Sequence, residues 1–409
     1  MRPFSSTRDS SISPALSTPE LTLAAERYRW AVLAGGTTAA AGAAVTFVTG
    51  LPVLAPSLRD EFGLSLGEIG ILLAAAWIGS TVTLLPWGLA ADRFGERLVI
   101  ALGLGGSALC LLGAAYTSSF AALLLLLALA GASGASVNSA SGRAVMHWFG
   151  EHERGLALGI RQTAIPFGGL VGALAVPAVA EAGGIRAAFV FLGACSAVGG
   201  LVGALVLRQR ESGAGMDAAS LSRTLTDGRL VRLCVSSGIY LYPQAVVLGF
   251  AVVFLHDEHG LSGRSAALVL AVAQVLAVAL RIGLGRWSDV IGSRVVPLRR
   301  VGIAIVASLA LTALLAGGPL SLLVVALALA GALSMGWNGL SFAAAAELAG
   351  ARRSGASIGF QQTVLSASGV AAPIVFSALV SAASWRVAFL SAAFVPLAGW
   401  RLLRPLTEY

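Results

Sequence analysis

The chain has 409 residues, of which 57% are hydrophobic, 11% are charged and 50 are glycine. A soluble domain of this composition has too little charged surface to cover its apolar mass, and a disordered chain carries far less apolar mass, so both classes are excluded. The net charge of +8 comes from 27 basic residues, all arginine, which fall in short clusters between apolar runs and not on one nucleic-acid-binding face.

The chain begins with a segment rich in Ser, Thr and Pro, residues 1–29. It lacks the apolar core and cleavage site of a signal peptide and is predicted to be a disordered cytoplasmic tail. Twelve apolar runs follow, each near the roughly 20 residues that a membrane helix needs. Six lie within 30–207 and six within 231–403, with a polar linker at 208–230 and a short tail at 404–409. We therefore predict an all-α integral membrane protein of twelve transmembrane helices in two six-helix halves.

The arginines determine the predicted orientation in the membrane. With the N-terminus in the cytoplasm, 21 of the 27 arginines lie on cytoplasmic segments, four lie outside and two lie within helices. Basic residues accumulate in the cytoplasmic loops of membrane proteins. We therefore predict a multi-pass protein of the cell membrane, plasma or inner, with both termini in the cytoplasm.

The two predicted halves repeat each other in sequence. The hexapeptide at 60–65, Asp-Glu-Phe-Gly-Leu-Ser, returns at 257–262 as Asp-Glu-His-Gly-Leu-Ser, at an offset of 197. Later matches, such as Asn138 with Asn338, have an offset of 200. A nearly constant offset through most of both halves indicates two parallel repeats related by an axis along the membrane normal.

A charged loop motif occurs once in each half. The first copy, at 88–97, reads Gly-Leu-Ala-Ala-Asp-Arg-Phe-Gly-Glu-Arg, and the second, at 285–294, reads Gly-Arg-Trp-Ser-Asp-Val-Ile-Gly-Ser-Arg. These segments resemble the G-x-x-x-D-R-x-G-x-R loop signature of the major facilitator superfamily. The resemblance covers about residues 30–403 and implies the twelve-helix fold of that superfamily and transport by alternating access. It does not identify a substrate.

The resemblance also implies a cytoplasmic gate. A carboxylate at the end of one helix can lie against the positive N-terminus of a helix from the other half, which is worth about 0.3–1 kcal/mol. We place Asp92 against the start of the eleventh helix near Ser354, and Asp289 against the start of the fifth near Gly155. The alternative is that these charges only end the helices at the membrane surface. The remaining gate residues implied by the resemblance are Arg93, Gly95, Arg97, Arg143, Gly292 and Arg294.

Two arginines lie inside predicted helices. Arg281 precedes Asp289 by eight residues, about 12 Å, and Arg161 follows Arg154 by seven, roughly 10 Å. No Asp or Glu falls in the middle of a predicted span, so a transported anion would supply the missing counter-charge. We predict that both arginines bind substrate, with Arg281 as the principal ligand. The alternatives are that Arg281 bonds backbone carbonyls and that Arg161 extends to the inner surface.

Arg281 also has a counterpart in several branches of the superfamily. An arginine on the eighth helix, shortly before the second loop motif, looks like the substrate arginine of monocarboxylate, oxalate-formate and nitrate carriers. The nitrate carriers pair it with an arginine on the second helix, where this chain has Leu84, so nitrate is disfavoured. The segment 154–162 resembles cyanate-permease-like carriers. A small anion is therefore the expected substrate.

Several uncharged polar residues are predicted to complete the substrate site. Asn138 and Asn338 are expected at the depth of Arg281, and each can donate and accept hydrogen bonds. Because polar side chains also join membrane helices to one another, interhelical bonding is the alternative for both asparagines. The further candidates are Gln162, Gln362, Tyr240 and Gln244.

The combined features predict a secondary transporter of a small organic anion, working as a monomer in the lipid bilayer by symport or exchange, with a coupling proton or counter-anion. The sequence contains no phosphate-binding loop and no metal-ligand spacing. Neither enzyme activity nor a cofactor is therefore predicted, and nucleic acid is not an expected partner. Two alternatives remain open: efflux of a hydrophobic drug or metabolite, and a non-transporting membrane receptor built on the same fold.

Overall fold

The computed structural model describes residues 18–149, 153–208, 226–350 and 354–406, apart from the side chains of 18–27, 92, 146, 154–156, 158 and 354–356. The described residues are mostly helical and contain no strand, which confirms the predicted all-α class. Most of the predicted linker and of the N-terminal tail lies outside them. The helices are α1 (Thr18–Ala44), α2 (Leu51–Phe62), α3 (Leu66–Phe94), α4 (Glu96–Ala114), α5 (Phe120–Gly134), α6 (Ser136–Trp148), α7 (Arg154–Gln162), α8 (Ala164–Val206), α9 (Gly228–His259), α10 (Gly263–Ile291), α11 (Val295–Leu315), α12 (Leu320–Gly336), α13 (Asn338–Ala349), α14 (Ser354–Ala382) and α15 (Trp385–Leu402), with a π-helical segment, Val45–Gly50, between α1 and α2 and a 3-10 turn, Arg404–Leu406, after α15.

Eleven of the described helical segments are long and apolar enough to cross a membrane, so the chain is a multi-pass membrane protein. The segment at 159–206 has 48 residues and a length of about 72 Å, more than twice the roughly 30 Å of a hydrocarbon core. It divides at Gly184, whose φ of 71° and ψ of −174° are a conformation that glycine alone adopts readily. The predicted count of twelve requires the two parts of this segment to span separately.

The repeated hexapeptide is a helix end followed by a helix start. Gly63 and Gly260 end α2 and α9 in the left-handed region, each with a φ of 64°. Two residues later, Ser65 and Ser262 cap the next helices: the hydroxyl of Ser65 accepts from the Glu68 N–H at 3.3 Å, and that of Ser262 accepts from the Ser265 N–H at 3.2 Å. Glycine tolerates the left-handed turn and serine satisfies the free N–H groups, which explains why these residue types recur in both halves.

Glycines permit the closest helix crossings. A Cβ added to Gly79 on α3 would lie 1.9 Å from the carbonyl oxygen of Ala128 on α5, and one added to Gly131 would lie 2.1 Å from that of Ala76. Membrane helices associate through such small residues because no hydrophobic force between helices operates in lipid. Ala76 of α3 and Gly131 of α5, which meet at this crossing, also line a cavity between the two halves.

The two halves are joined by ion pairs at one face of the molecule. We call residues 18–208 the N-terminal half and 226–406 the C-terminal half. Arg59 pairs with Asp257, and Arg264 lies 3.7 Å from Glu181. Each pair links one half to the other. We call this side the joined face, and the side that carries the two loop motifs the motif face.

At the motif face, described charges pair within a half. Arg294 lies 2.5 Å from Asp289 and 3.0 Å from Glu347, all in the C-terminal half. A carboxylate oxygen of Glu96 lies 3.2 Å from Arg143 Nε and 3.0 Å from His147 Nδ1, all in the N-terminal half. The predicted gate contacts, in contrast, cross between the halves.

The reason for pairing within a half is local geometry in the loop motif. Gly292 ends α10 with a φ of 65°, and this turn returns the chain so that Arg294 lies beside Asp289. Gly95 also ends α3 with a positive φ, 82°, but its ψ of 159° lies outside the left-handed helical region. Each expected gate contact includes at least one residue that the structure does not describe beyond its backbone: Asp92 and Ser354 in the first, and Gly155 in the second. The gate therefore stays a prediction.

Candidate functional site

A cavity of about 200 Å³ lies between the two halves. Its apolar wall includes Phe47, Trp77 and Phe342, and Trp77 packs against Gly369, where an added Cβ would lie 2.4 Å from the indole ring. Six of the eight predicted substrate residues line the cavity, three from each half: Asn138, Arg161, Gln162, Gln244, Asn338 and Gln362. The structure thus brings together residues that are up to 224 positions apart in the sequence.

Interrupted helices deliver these side chains to the cavity. The regular helical hydrogen bonding is interrupted for one residue at Ala135 between α5 and α6, at Thr163 between α7 and α8, and at Trp337 between α12 and α13. All three residues keep right-handed helical φ and ψ. The π-helical segment lies on the same wall through Phe47 and Val48. Local irregularities inside helices are frequent at functional sites.

Arg161 is the charged residue of the cavity wall. It is 6% exposed, its Nε donates to the Ser141 hydroxyl at 2.8 Å, and its Nη2 donates to the Asn138 carbonyl at 3.3 Å. The Ser141 hydroxyl in turn donates to the carbonyl of Val137. Among the described side chains, no carboxylate forms an ion pair with Arg161, and no described residue of the cavity lining is acidic. Among the described residues, the cavity therefore contains a positive charge without a counter-ion.

The C-terminal half repeats this arrangement without the charge. At the offset of 200, Arg161 corresponds to Gln361 and Ser141 to Ser341. Gln361 donates through Nε2 to the Ser341 hydroxyl at 2.6 Å and to the Ser237 hydroxyl at 2.9 Å. The sequence analysis missed both Ser141 and Ser341, which match each other at the offset of 200. The substitution of glutamine for arginine confines the positive charge to the N-terminal side of the cavity.

Arg281 lies behind the cavity wall and is not one of the residues that line it. Its Nε donates to the Met335 carbonyl at 3.0 Å, and its Nη1 donates to the Gln162 carbonyl at 2.8 Å. Its Nη2 is buried and has no hydrogen-bond partner among the described residues. These contacts match the carbonyl-bonding alternative, and they do not place Arg281 as the principal ligand in this conformation.

Tyr240 also lies away from the cavity. It is 1% exposed and packs edge-on against Trp337, with ring centroids 6.0 Å apart. Its ring lies against Gly302 and Gly399, where an added Cβ would come within 2.1 Å and 2.7 Å of its atoms. The side chain therefore faces α11 and α15 and does not line the cavity.

The two asparagines differ in their surroundings. Asn338 is 4% exposed and donates to the Gln244 side-chain oxygen at 3.1 Å and to the Met335 carbonyl at 3.2 Å. These bonds match the interhelical alternative. Asn138 is exposed on the cavity and accepts from Arg161 through Oδ1 at 3.5 Å. Of the pair, Asn138 has more capacity left for a ligand.

No metal centre is indicated within the part of the chain that the structure describes, since no group of His, Cys, Asp or Glu there is arranged to hold an ion. The cavity lining provides a guanidinium, five amide side chains, of which those of Asn338 and Gln244 bond each other, and aromatic walls. This set can bind and orient a small anion, and it contains no nucleophile paired with a base.

Parts of the chain are similar to transporters with named substrates. A hexuronate transporter of Bacillus subtilis is 21% identical over 55% of this chain and 56% of its own length. A probable sulfoacetate transporter of Cupriavidus necator is 31% identical over 36% of this chain and 34% of its own length.

The overall fold and most of the chain match one family. A bacterial homologue of the human lysosomal transporter Spinster, in an inward-facing and occupied conformation, superposes with a TM-score of 0.70, 14% identity and coverage of 96% and 98% of the two chains. An uncharacterized MFS-type transporter of Mycobacterium tuberculosis is 34% identical over 93% of this chain and 87% of its own length. Residues 32–373 match the family model of the Major Facilitator Superfamily. The chain belongs to the Major Facilitator Superfamily of membrane transporters.

Proposed function

We propose that the protein is a secondary transporter of a small organic anion, with Arg161 as the principal ligand. The observation that carries this proposal is the position of Arg161: its guanidinium lies at a cavity between the two halves, and no described carboxylate pairs with it. Removing a charge from water inside a membrane protein is expensive unless a partner is present. A transported anion supplies that partner when it binds.

The uncharged residues suit the same ligand. Asn138, Gln162 and Gln362 line the cavity around the guanidinium, and their amide groups can donate to carboxylate or sulfonate oxygens and accept from hydroxyl groups. The aromatic wall of Phe47, Trp77 and Phe342 bounds the site on its apolar side. A compact anion that carries hydroxyl groups or a short carbon chain fits these walls.

The named relatives support the choice of an organic anion. Hexuronate and sulfoacetate, the substrates in the names of two partial relatives, both carry carboxylate groups. Their similarity to this chain is limited to about half of it or less, so it supports the chemical class and not a particular compound.

Alternating access follows from the site's location. We propose that residues 30–207 rock against residues 231–403 in the cell membrane, as a monomer with both termini in the cytoplasm, so that the motif face is the cytoplasmic one. Since no described residue of the cavity lining is acidic, coupling by symport or exchange uses a proton held by the substrate–arginine pair or a counter-anion, and not a carboxylate of the wall.

Efflux of a hydrophobic compound is the second candidate function. The observation that favours it is the predominance of apolar side chains in the cavity wall, Phe47, Trp77 and Phe342 among them. Such a transporter would bind apolar compounds over a broad range and would be insensitive to the loss of Arg161.

The two functions are separated by ligand-induced stabilisation. We would measure the melting temperature of the detergent-purified protein with glucuronate, sulfoacetate, glucose and apolar drugs, and repeat the series with Arg161→Gln. At about 100 times its dissociation constant, a ligand specific for the folded state stabilises by roughly 2.7 kcal/mol. The matched control is Arg401→Gln, which removes the same charge from an exposed position at the end of α15.

We expect an acidic compound to stabilise the parent and the Arg401→Gln control, and to have no effect on Arg161→Gln. Equal stabilisation of all three proteins by apolar drugs alone would replace the anion proposal with efflux.

A further inference from the structure

The carbonyl group of Gln162 is left free by a proline. In an α-helix this carbonyl accepts a hydrogen bond from the N–H four residues later, but residue 166 is proline and has no N–H. Arg281 Nη1, on α10 of the other half, donates to this carbonyl at 2.8 Å. The proline thus creates an acceptor inside a candidate membrane-spanning segment, and an arginine from the opposite half bonds to it.

The same guanidinium reaches a second helix break. Its Nε donates at 3.0 Å to the carbonyl of Met335, two residues before the break at Trp337. This carbonyl also accepts from the side chain of Asn338 at 3.2 Å. Arg281 therefore connects Gln162 of the N-terminal half with the backbone that positions Asn338, and both of these residues line the cavity.

We call the hydrogen bond from Arg281 to the Gln162 carbonyl the bridge. Its position shows what happens to it when the cavity opens. Helices α8 and α10 are in close contact at Gly169, where an added Cβ would lie 2.4 Å from the side-chain nitrogen of Gln274. Gln162 is seven residues nearer the motif face, about 10 Å along the helix. Because the bridge lies on the motif side of this contact, separation of the halves at the motif face must lengthen it.

We infer that Arg281 is a positioning residue that joins the halves through the Gln162 carbonyl and holds the motif side of the cavity closed until the transport cycle opens it. It acts through the backbone of Gln162 and does not touch the substrate. Its consequence for transport rests on the proposed function, whereas its effect on opening does not, because opening can be measured without a substrate.

The test uses a reporter cysteine in a background in which Cys110, Cys195 and Cys234 are replaced. Leu84→Cys reports the motif side of the cavity, since Leu84 lines the cavity ten residues before α3 ends at Phe94. Leu248→Cys reports the other side, since Leu248 lines the cavity on α9 eleven residues before His259. The labelling rate of each cysteine with a charged thiol reagent is measured in lipid nanodiscs without any substrate.

Arg281→Gln is expected to raise the labelling rate of Leu84→Cys by roughly tenfold, the effect of losing one hydrogen bond from a charged group, and to leave that of Leu248→Cys unchanged. Pro166→Ala is expected to raise the same rate, because the restored N–H competes for the Gln162 carbonyl. The double variant should label no faster than Arg281→Gln, since both changes break one interaction.

Pro177→Ala is the matched control, because Pro177 also lies inside α8 but the carbonyl that it frees, that of Ala173, is not an acceptor of Arg281. Its rate should stay within about twofold of the parent, the spread of a neutral change. If Arg281→Gln does not fold, Pro166→Ala and Arg281→Lys, which keeps the charge, decide the outcome. Unchanged labelling in the folded variants, or equal effects of the two proline changes, overturns the inference.

The transport readout separates this inference from the proposed function. With a transported anion, Arg281→Gln should change the maximal rate more than KM, whereas loss of a direct ligand raises KM. If no anion binds, the proposed function fails and the labelling result still stands. If anions bind and labelling does not change, the inference fails alone.

Discussion

Arg161 and Gln361 occupy equivalent positions in the two halves but differ in charge. Each donates to an equivalent serine, Ser141 at 2.8 Å and Ser341 at 2.6 Å. In the N-terminal half this bond orients a guanidinium at the cavity, whereas in the C-terminal half it joins buried neutral groups. At the scale of single residues, one substitution between otherwise similar repeats places a positive charge on one side of the cavity.

The two serines are expected to respond differently to substitution. Ser141→Ala removes the acceptor of Arg161 Nε, and a hydrogen bond to a charged group is worth about 1.5–3 kcal/mol. We expect anion affinity to fall by roughly tenfold or more for Ser141→Ala and by less than about twofold for Ser341→Ala. Isothermal titration of both variants with the stabilising anion measures this, and equal losses would show that Ser141 does not orient the ligand.

Helix interruptions organise the site at the scale of secondary structure. The one-residue interruptions at Ala135, Thr163 and Trp337 lie within three residues of Asn138, Gln162 and Asn338. Glycines allow helices to pack closely against each other, as at Gly79 and Gly131 between α3 and α5. The Asn and Gln side chains of the cavity lie near these interruptions, and closely packed helices hold them in place.

Substitution of glycine at this crossing is expected to destabilise the protein. A Cβ at Gly131 would lie 2.1 Å from the Ala76 carbonyl oxygen, whereas Gly105 on α4 has no atom within 4 Å of an added Cβ. Overpacking costs typically about 1–3 kcal/mol, and an alanine in an open helical position is neutral or slightly favourable. Thermal unfolding should therefore show a lower Tm for Gly131→Ala and not for Gly105→Ala; similar Tm values would refute the close crossing.

At the scale of the whole molecule, the halves are held by different interactions at different depths. Ion pairs such as Arg59 with Asp257 join them at one face, while the hydrogen bond from Arg281 to Gln162 joins them between that face and the motif face. At the motif face, Arg294 pairs with Asp289 and Glu347 of its own half. This distribution permits rocking in which one set of contacts breaks while the other persists.

The Arg59–Asp257 pair should bias the cavity toward closure at the joined face. Asp257→Asn is expected to raise the labelling rate of Leu248→Cys by about two- to fivefold, since partly exposed ion pairs are worth roughly 0.2–1 kcal/mol. The exchanged pair, Arg59→Asp with Asp257→Arg, should restore the parent rate. Failure of the exchange to restore it would show that the charges do not act on each other.

Much of the fold was accessible from the sequence because the signals that define it are local. Apolar runs predicted the membrane helices, and the doubled motif and repeat predicted the family. The glycine and serine of the repeated hexapeptide have their effect within a few residues, through a left-handed turn at Gly63 and a cap at Ser65. The repeat also paired Asn138 with Asn338 correctly, because both occupy one cavity.

The sequence by itself determined the class, the family and six residues that line the cavity. Only the tertiary structure decided that Arg161 lies at the cavity and Arg281 behind its wall, and that Tyr240 faces α11 and α15. Depth along a helix follows from residue number, but the direction of a side chain depends on how the broken helices rotate and pack. The acceptor of Arg281 illustrates this: Pro166 frees the Gln162 carbonyl locally, yet the arginine that uses it lies 119 residues away.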